Sequence, residues 1–534
     1  MLTGGRIWRG LAEGDCEAVA LWGGRVLATG TAAEIAPLAG PRTRIVDLAG
    51  RLATPGLNDA HMHLLPYGLA MEQVDLRPAA CPTLAALLDA LAARAARTPT
   101  GGWVLGRGYD HFRLDVGRHP LREELDAACP DHPVLITRTD GHLSVANSRA
   151  LALAGIAADT PDPEGGQIGR RDGRLTGLLA ERARDAVDAV LPPITEEALV
   201  AAIERAGRDA LSRGITSVMD AAVGMVAGWA EMRAYQRARR TGRLPLRVYA
   251  CLLGDKGRSV LPDAMAAGLV TGGGDAMLRI GPVKIFTDGS FGGRTAAMSR
   301  PYKGGGAQDL GILCLPDAEL AAMVLEAHRA GYAMAIHAIG DRAIEQTLQA
   351  IEAALDAAPD PDRRHRIEHC GWLAPGQIER MAARRVIPAP QPVFNHYFGD
   401  LYLSLTDEAA AAASYPMRAW VDLGLNPSAS TDCPVCDLAP GPNLYAMVTR
   451  RTDRGTLLGP DQRLTLAEAL HAYTWAGAWG SKEEGVKGRL VPGQLADVAV
   501  WSRDLFAAPE AALLEARCDM TILNGEVVHE REPA

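Results

Sequence analysis

Nowhere do these 534 residues run apolar for 18 positions or more, so the sequence offers no membrane-spanning helix. The opening MLTGGRIWRG lacks the apolar core of a secretion signal. Long blocks of like charge are missing too. The basic clusters at 237–243 and 363–366 are short and read as solvated faces. A net charge of −9 argues against nucleic acid or an anionic membrane as a partner. Nine cysteines, an odd number without framework spacing, exclude a disulfide scaffold and fit free thiols in a reducing cytoplasm. The Cys433-Pro434-Val435-Cys436 spacing has no second Cys or His pair to complete a zinc site. The glycine triplets at 272–274 and 304–306 lack the Lys-Ser/Thr of a phosphate loop, and no G-x-S-x-G elbow occurs. A cytoplasmic protein acting on a small molecule is expected, with a homodimer compatible.

What is present is ordinary globular composition, 48% apolar and 22% charged. Length alone allows roughly three or four domains. Both ends are β-rich. Residues 18–22 and 25–28 flank Gly23-Gly24, and Asn524-Gly525 separates two β-forming runs, both hairpin signals. One small sheet domain built from both termini, residues 1–56 and 486–534, is the economical reading. Between them, strand candidates at 214–220, 246–253, 278–288, 332–337, 366–370, 386–393 and 427–432 alternate with helices at 317–329, 343–355 and 466–478. With the segment before His61 they make eight strands, which predicts an α/β fold, a (β/α)8 TIM barrel over 57–485. Residues 64 to about 195 break the rhythm and read as an insertion after the first barrel strand.

The chemistry gathers at strand ends. In Asp59-Ala60-His61-Met62-His63 the two histidines share one strand face, as a metal pair or as a satisfied structural pair. His337, His369 and Asp432 each end a strand candidate. Lys284 and Asp288 sit at an even offset on another. Groups of this kind at the C-terminal ends of parallel barrel strands converge on one mouth. Lys284 has two readings. One is a plain ion pair with Asp288; the other is an amine made neutral by burial among cations, able to take up CO2 as a carbamate.

The run Thr54-Pro55-Gly56-Leu57-Asn58-Asp59-Ala60-His61-Met62-His63, with Lys284, His337, His369 and Asp432, resembles the amidohydrolase superfamily. Thr139-Asp140-Gly141-His142, Val283 to Ser290 with Arg294, and His337-Ala338-Ile339-Gly340-Asp341 are similar to its amidohydrolase-3 (YtcJ-like) branch, which includes an N-substituted formamide deformylase. The resemblance implies that the terminal domain is a composite β-sandwich. It implies one metal on His61, His63 and Asp432, a second on His337 and His369, and carboxylated Lys284 as the bridge. One or two Zn2+ ions suit that donor set, other divalent metals being able to load. Asp432 is then the general base in hydrolysis of a carbon–nitrogen bond. Three further residues are expected near substrate. His142 is an oxyanion donor or a loop histidine, Arg294 pairs a substrate anion or a surface carboxylate, and His396 follows the seventh strand. The alternatives are a mononuclear, deaminase-like hydrolase with unmodified Lys284, and a non-catalytic binding protein on the same fold.

Overall fold

The computed structural model describes residues 1–532. Seven strands form one parallel sheet that curls into a nearly closed barrel. In chain order they are Leu57–Met62, Ile215–Val223, Arg247–Leu253, Leu278–Phe286, Met334–Ala338, Arg366–His369 and Ile387–Ala389. The second and third strands are buried at every position, as expected where helices cover one face and the barrel interior the other. The helices follow their sequence signals. Thr195 caps Glu196–Ser212, whose Leu199, Ile203, Ala206 and Ala210 form one stripe in the barrel core.

The eighth strand corrects the sequence reading. Residues 427–432 form no regular ladder. They close the barrel through a few bonds instead. The Ala60 N–H donates to Ala429 O at 3.3 Å and the Asp432 N–H to His61 O at 2.9 Å. On the other side Ser430 Oγ donates to Pro390 O at 2.7 Å and accepts from Gln391 Nε2 at 3.0 Å. Prolines explain the irregularity: Pro427 stands in this segment and Pro388, Pro390 and Pro392 in its neighbour, and proline supplies no ladder N–H. The same prolines shorten the seventh strand from the expected 386–393 to Ile387–Ala389. Buried Asp59 fastens the seam, its carboxylate accepting from Thr431 N at 3.2 Å and Thr431 Oγ1 at 2.6 Å. The helix expected at 466–478 also divides, into Leu466–Ala472 and Trp475–Gly480, where Thr474 turns its hydroxyl back onto Leu470 O.

The insertion after the first strand carries a six-stranded sheet. Its spatial order is Gly166–Arg171, Arg174–Glu181, Leu143–Ala146, Val134–Arg138, Val104–Tyr109 and Val74–Asp75. A second six-stranded sheet interleaves the termini: Leu52–Pro55 pairs antiparallel with Val498–Trp501, and Trp501 Nε1 donates to Thr54 Oγ1 at 3.1 Å. A four-stranded sheet of N-terminal strands packs on it through Leu2, Val19 and Val26 against Val498, Val500 and Ile522, completing the composite sandwich. The hairpin turn at Asn524-Gly525 has positive φ at both residues, the twist that a two-residue hairpin requires. Among the described residues, no helix is long and apolar enough to cross a membrane.

Candidate metal centre

His61, His63, Lys284, His337, His369 and Asp432 meet at the C-terminal mouth of the barrel. His61, His369 and Asp432 each offer a ligand atom within 4.8 Å of the others. The His61 ring lies 4.8 Å from that of His369 and 5.6 Å from that of His63, and His337 lies 4.4 Å from His369. His61 Nε2 and His63 Nε2 each stand 3.3 Å from Asp432 Oδ1. His369 and Asp432 have φ of 67° and 56°, a left-handed backbone that residues other than glycine seldom adopt and that concentrates at functional sites.

The surrounding bonds fix which nitrogen of each ring is free. His61 Nδ1–H donates to Glu368, whose other oxygen accepts from Arg366 Nε at 2.5 Å. His369 Nδ1–H donates to Gln391 Oε1 at 2.6 Å. His337 Nε2 faces Gly289 O at 3.2 Å and Asp288 Oδ1 at 3.2 Å. Each ring thereby turns its other nitrogen inward, the arrangement by which outer partners orient metal-binding histidines. Burial lowers the pKa of His63, His337 and His369 and keeps them in the neutral, ligating form. Burial opposes ionisation of Asp432, yet the imidazoles of His61 and His63 hold it well below the ordinary carboxylate range. Glu368 is likewise buried, and Arg366 and His61 hold it down to about 2.

Lys284 does not pair with Asp288. Asp288 lies beyond the end of its strand, and its oxygens accept from the backbone N–H groups of Ala297, Ile339 and Gly340 at 2.8–3.0 Å. Lys284 Nζ is buried without any hydrogen-bond partner, 4.5 Å from the Phe286 ring centroid, and burial lowers its pKa. His61 Nε2, His63 Nδ1, His337 Nδ1 and Asp432 Oδ1 are also buried and unpartnered. Buried polar atoms are nearly always satisfied, so five such atoms at the mouth, beside the His61, His369 and Asp432 group, fit a bound cation or cations.

Above the mouth opens a recess. Phe291, Phe394, Phe398, Leu401 and Tyr402 form an apolar wall; Arg138, Asp140, His142 and Tyr415 supply polar groups. His142 reaches the mouth from the insertion. Its ring lies 5.3 Å from His337, and Nδ1 donates to Glu181 Oε2 at 2.7 Å. Burial disfavours its charge, but Glu181, Asp140 and Asp432 raise its pKa to about 9. Tyr415 is fully buried, has φ of 48°, and its hydroxyl has no partner.

Two expected substrate contacts lie elsewhere. Arg294 is outside the recess, paired with Asp309 and 5.6 Å from the Tyr302 ring centroid. His396 belongs to helix Val393–Leu405, which turns Phe394, Phe398, Leu401 and Tyr402 to the recess at helical spacing. That spacing sends His396 to another face, where Nδ1 donates to Arg451 O at 3.0 Å. Several participants were missed: Glu368, Gln391, Arg138 and Tyr415. Glu368 adjoins His369, and strict strand alternation points only one of the two inward. The left-handed φ of His369 brings both beside His61.

A parallel barrel whose strand ends gather histidines and an aspartate at one mouth defines a class of metal-binding barrel. The chain belongs to the amidohydrolase family, whose sequence profile matches residues 44–529. It is 29% identical to YtcJ of Bacillus subtilis (strain 168), over 99% of each chain. It is 30% identical to the N-substituted formamide deformylase of Arthrobacter pascens, covering 97% of this chain and 96% of that one. The crystal structure of an uncharacterized metal-dependent hydrolase from Pyrococcus horikoshii OT3 superimposes with a TM-score of 0.76 at 29% identity, over 96% of this chain and 98% of that one.

Proposed function

We propose that this chain is a metal-dependent hydrolase of carbon–nitrogen bonds other than peptide bonds, acting on amide, N-formyl or cyclic amide substrates. The observation that carries the reading is the set of five buried, unpartnered ligand atoms on one mouth. Leaving each unmade costs about 1–3 kcal/mol, a loss that bound cations recover. In this reading His61, His63 and Asp432 would hold one divalent ion and His337 and His369 a second, and Lys284, as its carbamate, would supply a further anionic oxygen ligand. Zn2+ suits imidazole and carboxylate donors best. When bound, such ions bring the pKa of water toward ~7 and polarise a carbonyl.

The protein's own groups do the rest. Asp432, held ionised by His61 and His63, accepts the proton of the attacking water on its carboxylate and returns it to the leaving nitrogen. Water adds to the carbonyl carbon, the C–N bond breaks, and a carboxylic acid and an amine result. His142, anchored through Nδ1 on Glu181, presents its Nε2–H toward the carbonyl oxygen as charge develops there. The Tyr415 hydroxyl is a second donor facing the recess. The aromatic wall excludes water and receives an apolar substituent. The formamide deformylase relative supports N-formyl compounds among the candidates.

Metal analysis of the purified protein, with a screen of N-formyl, N-acyl and cyclic amides, tests this. Bound divalent metal and amide hydrolysis that a chelator abolishes are expected. Protein that binds no divalent metal overturns the reading. One observation favours a mononuclear variant: Lys284 Nζ lies over Phe286 as an ammonium would, while His61, His369 and Asp432 alone suffice for one ion. Carbon-13 NMR after bicarbonate labelling separates the two, since only the carboxylated form carries a carbamate signal.

A further inference from the structure

One deeply buried cation has no counter-ion. Arg450, just past helix Pro440–Thr449, is 1% exposed and makes no ion pair among the described residues. Its guanidinium is spent on carbonyl oxygens. Nη1 donates to Tyr415 O at 3.1 Å, Nη2 to Ser414 O at 2.9 Å and to Ala412 O at 3.2 Å, and Nε to Leu458 O at 2.8 Å. The Asn395 side-chain oxygen also accepts from it, in the orientation that lets the Asn395 amide donate to Ser414 Oγ at 3.1 Å. Burial lowers the pKa of Arg450 to about 10, which leaves it cationic at neutral pH. Neutral carbonyls answer a buried charge incompletely, and an apolar side chain would fill the same space without that cost. Stability alone therefore does not account for Arg450.

The oxygens of Ala412, Ser414 and Tyr415 belong to one turn, between helices Glu408–Ala413 and Met417–Asp422. That turn is strained. Tyr415 has φ of 48° directly before Pro416, and a proline presses its predecessor toward extended backbone. The strain places the phenol. The Tyr415 N–H donates to Gly371 O at 3.0 Å, and the ring meets that of Phe394 edge to face at 6.0 Å. A Cβ placed on Gly371 would stand 3.0 Å from the Tyr415 hydroxyl, so the hydroxyl lies against the chain two residues past His369. It lines the recess with His369 and Asp432, buried and without a partner. Burial raises its pKa and keeps it a protonated donor.

We propose that Arg450 is the positioning residue for Tyr415: by gripping the 412–415 turn it holds the hydroxyl over the mouth, aimed at the substrate carbonyl. The donor role of Tyr415 rests on the amide-hydrolysis reading above; the grip of Arg450 on it does not. Arg450 itself touches no substrate. It acts as a preset clamp, so that no reorganisation is needed when charge develops on the carbonyl oxygen. A fork of five fixed donors suits several carbonyls of one turn better than an ammonium does.

The test follows hydrolysis of N-cyclohexylformamide by the wild type, Y415F, R450Q and the double variant. Y415F is expected to lower kcat about 10²-fold, and R450Q by a similar factor with the fold retained by circular dichroism. The double variant is then no slower than Y415F alone. R450K keeps the charge but loses the fork, and falls between the wild type and R450Q. Losses that multiply in the double variant overturn the proposal. So does an unchanged kcat in R450Q, or in R450K should R450Q not fold. A second readout needs no turnover. With 3-fluorotyrosine incorporated, the fluorine resonance of Tyr415, assigned by its absence from Y415F, is expected to shift in R450Q; the same resonance in both proteins overturns the proposal. A wild type that hydrolyses no amide overturns the amide-hydrolysis reading instead, and the fluorine spectra still decide whether Arg450 sets Tyr415.

Discussion

The two ends of the barrel treat buried charge in opposite ways. At the bottom, Lys487 Nζ donates to Glu483 Oε2 at 2.9 Å and to Ser217 Oγ at 3.2 Å, and Arg247 grips Asp497 at 2.7 and 2.8 Å. A histidine chain there is fully satisfied. The Met334 N–H donates to His365 Nδ1, His365 Nε2 to His328 Nδ1, and His328 Nε2 to Ala358 O, at 2.6–3.0 Å. At the mouth, an equally buried lysine and three histidines keep open positions. The same residue types at the same depth are closed where they hold the fold and open where a ligand completes them.

Asp432→Asn breaks the open end most severely. It is expected to lower kcat by about 10²–10⁴ with the fold retained, as read by steady-state kinetics and circular dichroism. The two lysines come next. Lys487→Met strands Glu483 and should cost about 3–5 kcal/mol in urea unfolding. Lys284→Met removes an unpartnered amine and should stabilise the metal-free protein by about 1–3 kcal/mol while abolishing activity. Shifts of the same sign in the two variants would erase the contrast between the ends.

The histidine chain gives a smaller, pH-dependent effect. Burial and neighbouring cations depress His365 from its ordinary 6.5 to about 3. Below pH 6.5 the unfolded chain takes up a proton that the folded one refuses. The stability His365 contributes is therefore whole above that pH and drains away as pH falls toward 3, by at most about 1.4 kcal/mol per unit. His365→Asn should flatten urea-derived stability across that window, and an unchanged slope would remove His365 as its source. Smallest is Arg294→Gln. Its pair with Asp309 lies outside the recess, so activity should stay within about twofold and stability within about 1 kcal/mol.

Periodicity made most of the barrel readable, because parallel strands and amphipathic helices write their burial into short apolar runs. It failed at the eighth strand, where side chains such as Asp59 and Thr431 substitute for a ladder and leave no periodic trace. The histidines and Asp432 were legible as residue types at strand ends. Glu368, Gln391 and Tyr415 were not, since their places depend on partners from distant segments and on left-handed backbone. His396 shows the converse error: its position in sequence suggested the pocket, and helix phase turned it away.

The interleaved terminal sheet also sets an order of events during synthesis. Strand Leu52–Pro55 is made first, and its antiparallel partner Val498–Trp501 emerges only after the whole barrel segment between them. At about 5–20 residues per second, translation leaves that edge waiting on the order of tens of seconds. All the while the barrel can assemble beside an unfinished sheet. These later strands then act as a latch, and a chain interrupted shortly before them would carry every residue proposed to hold metal and still expose an open β-edge.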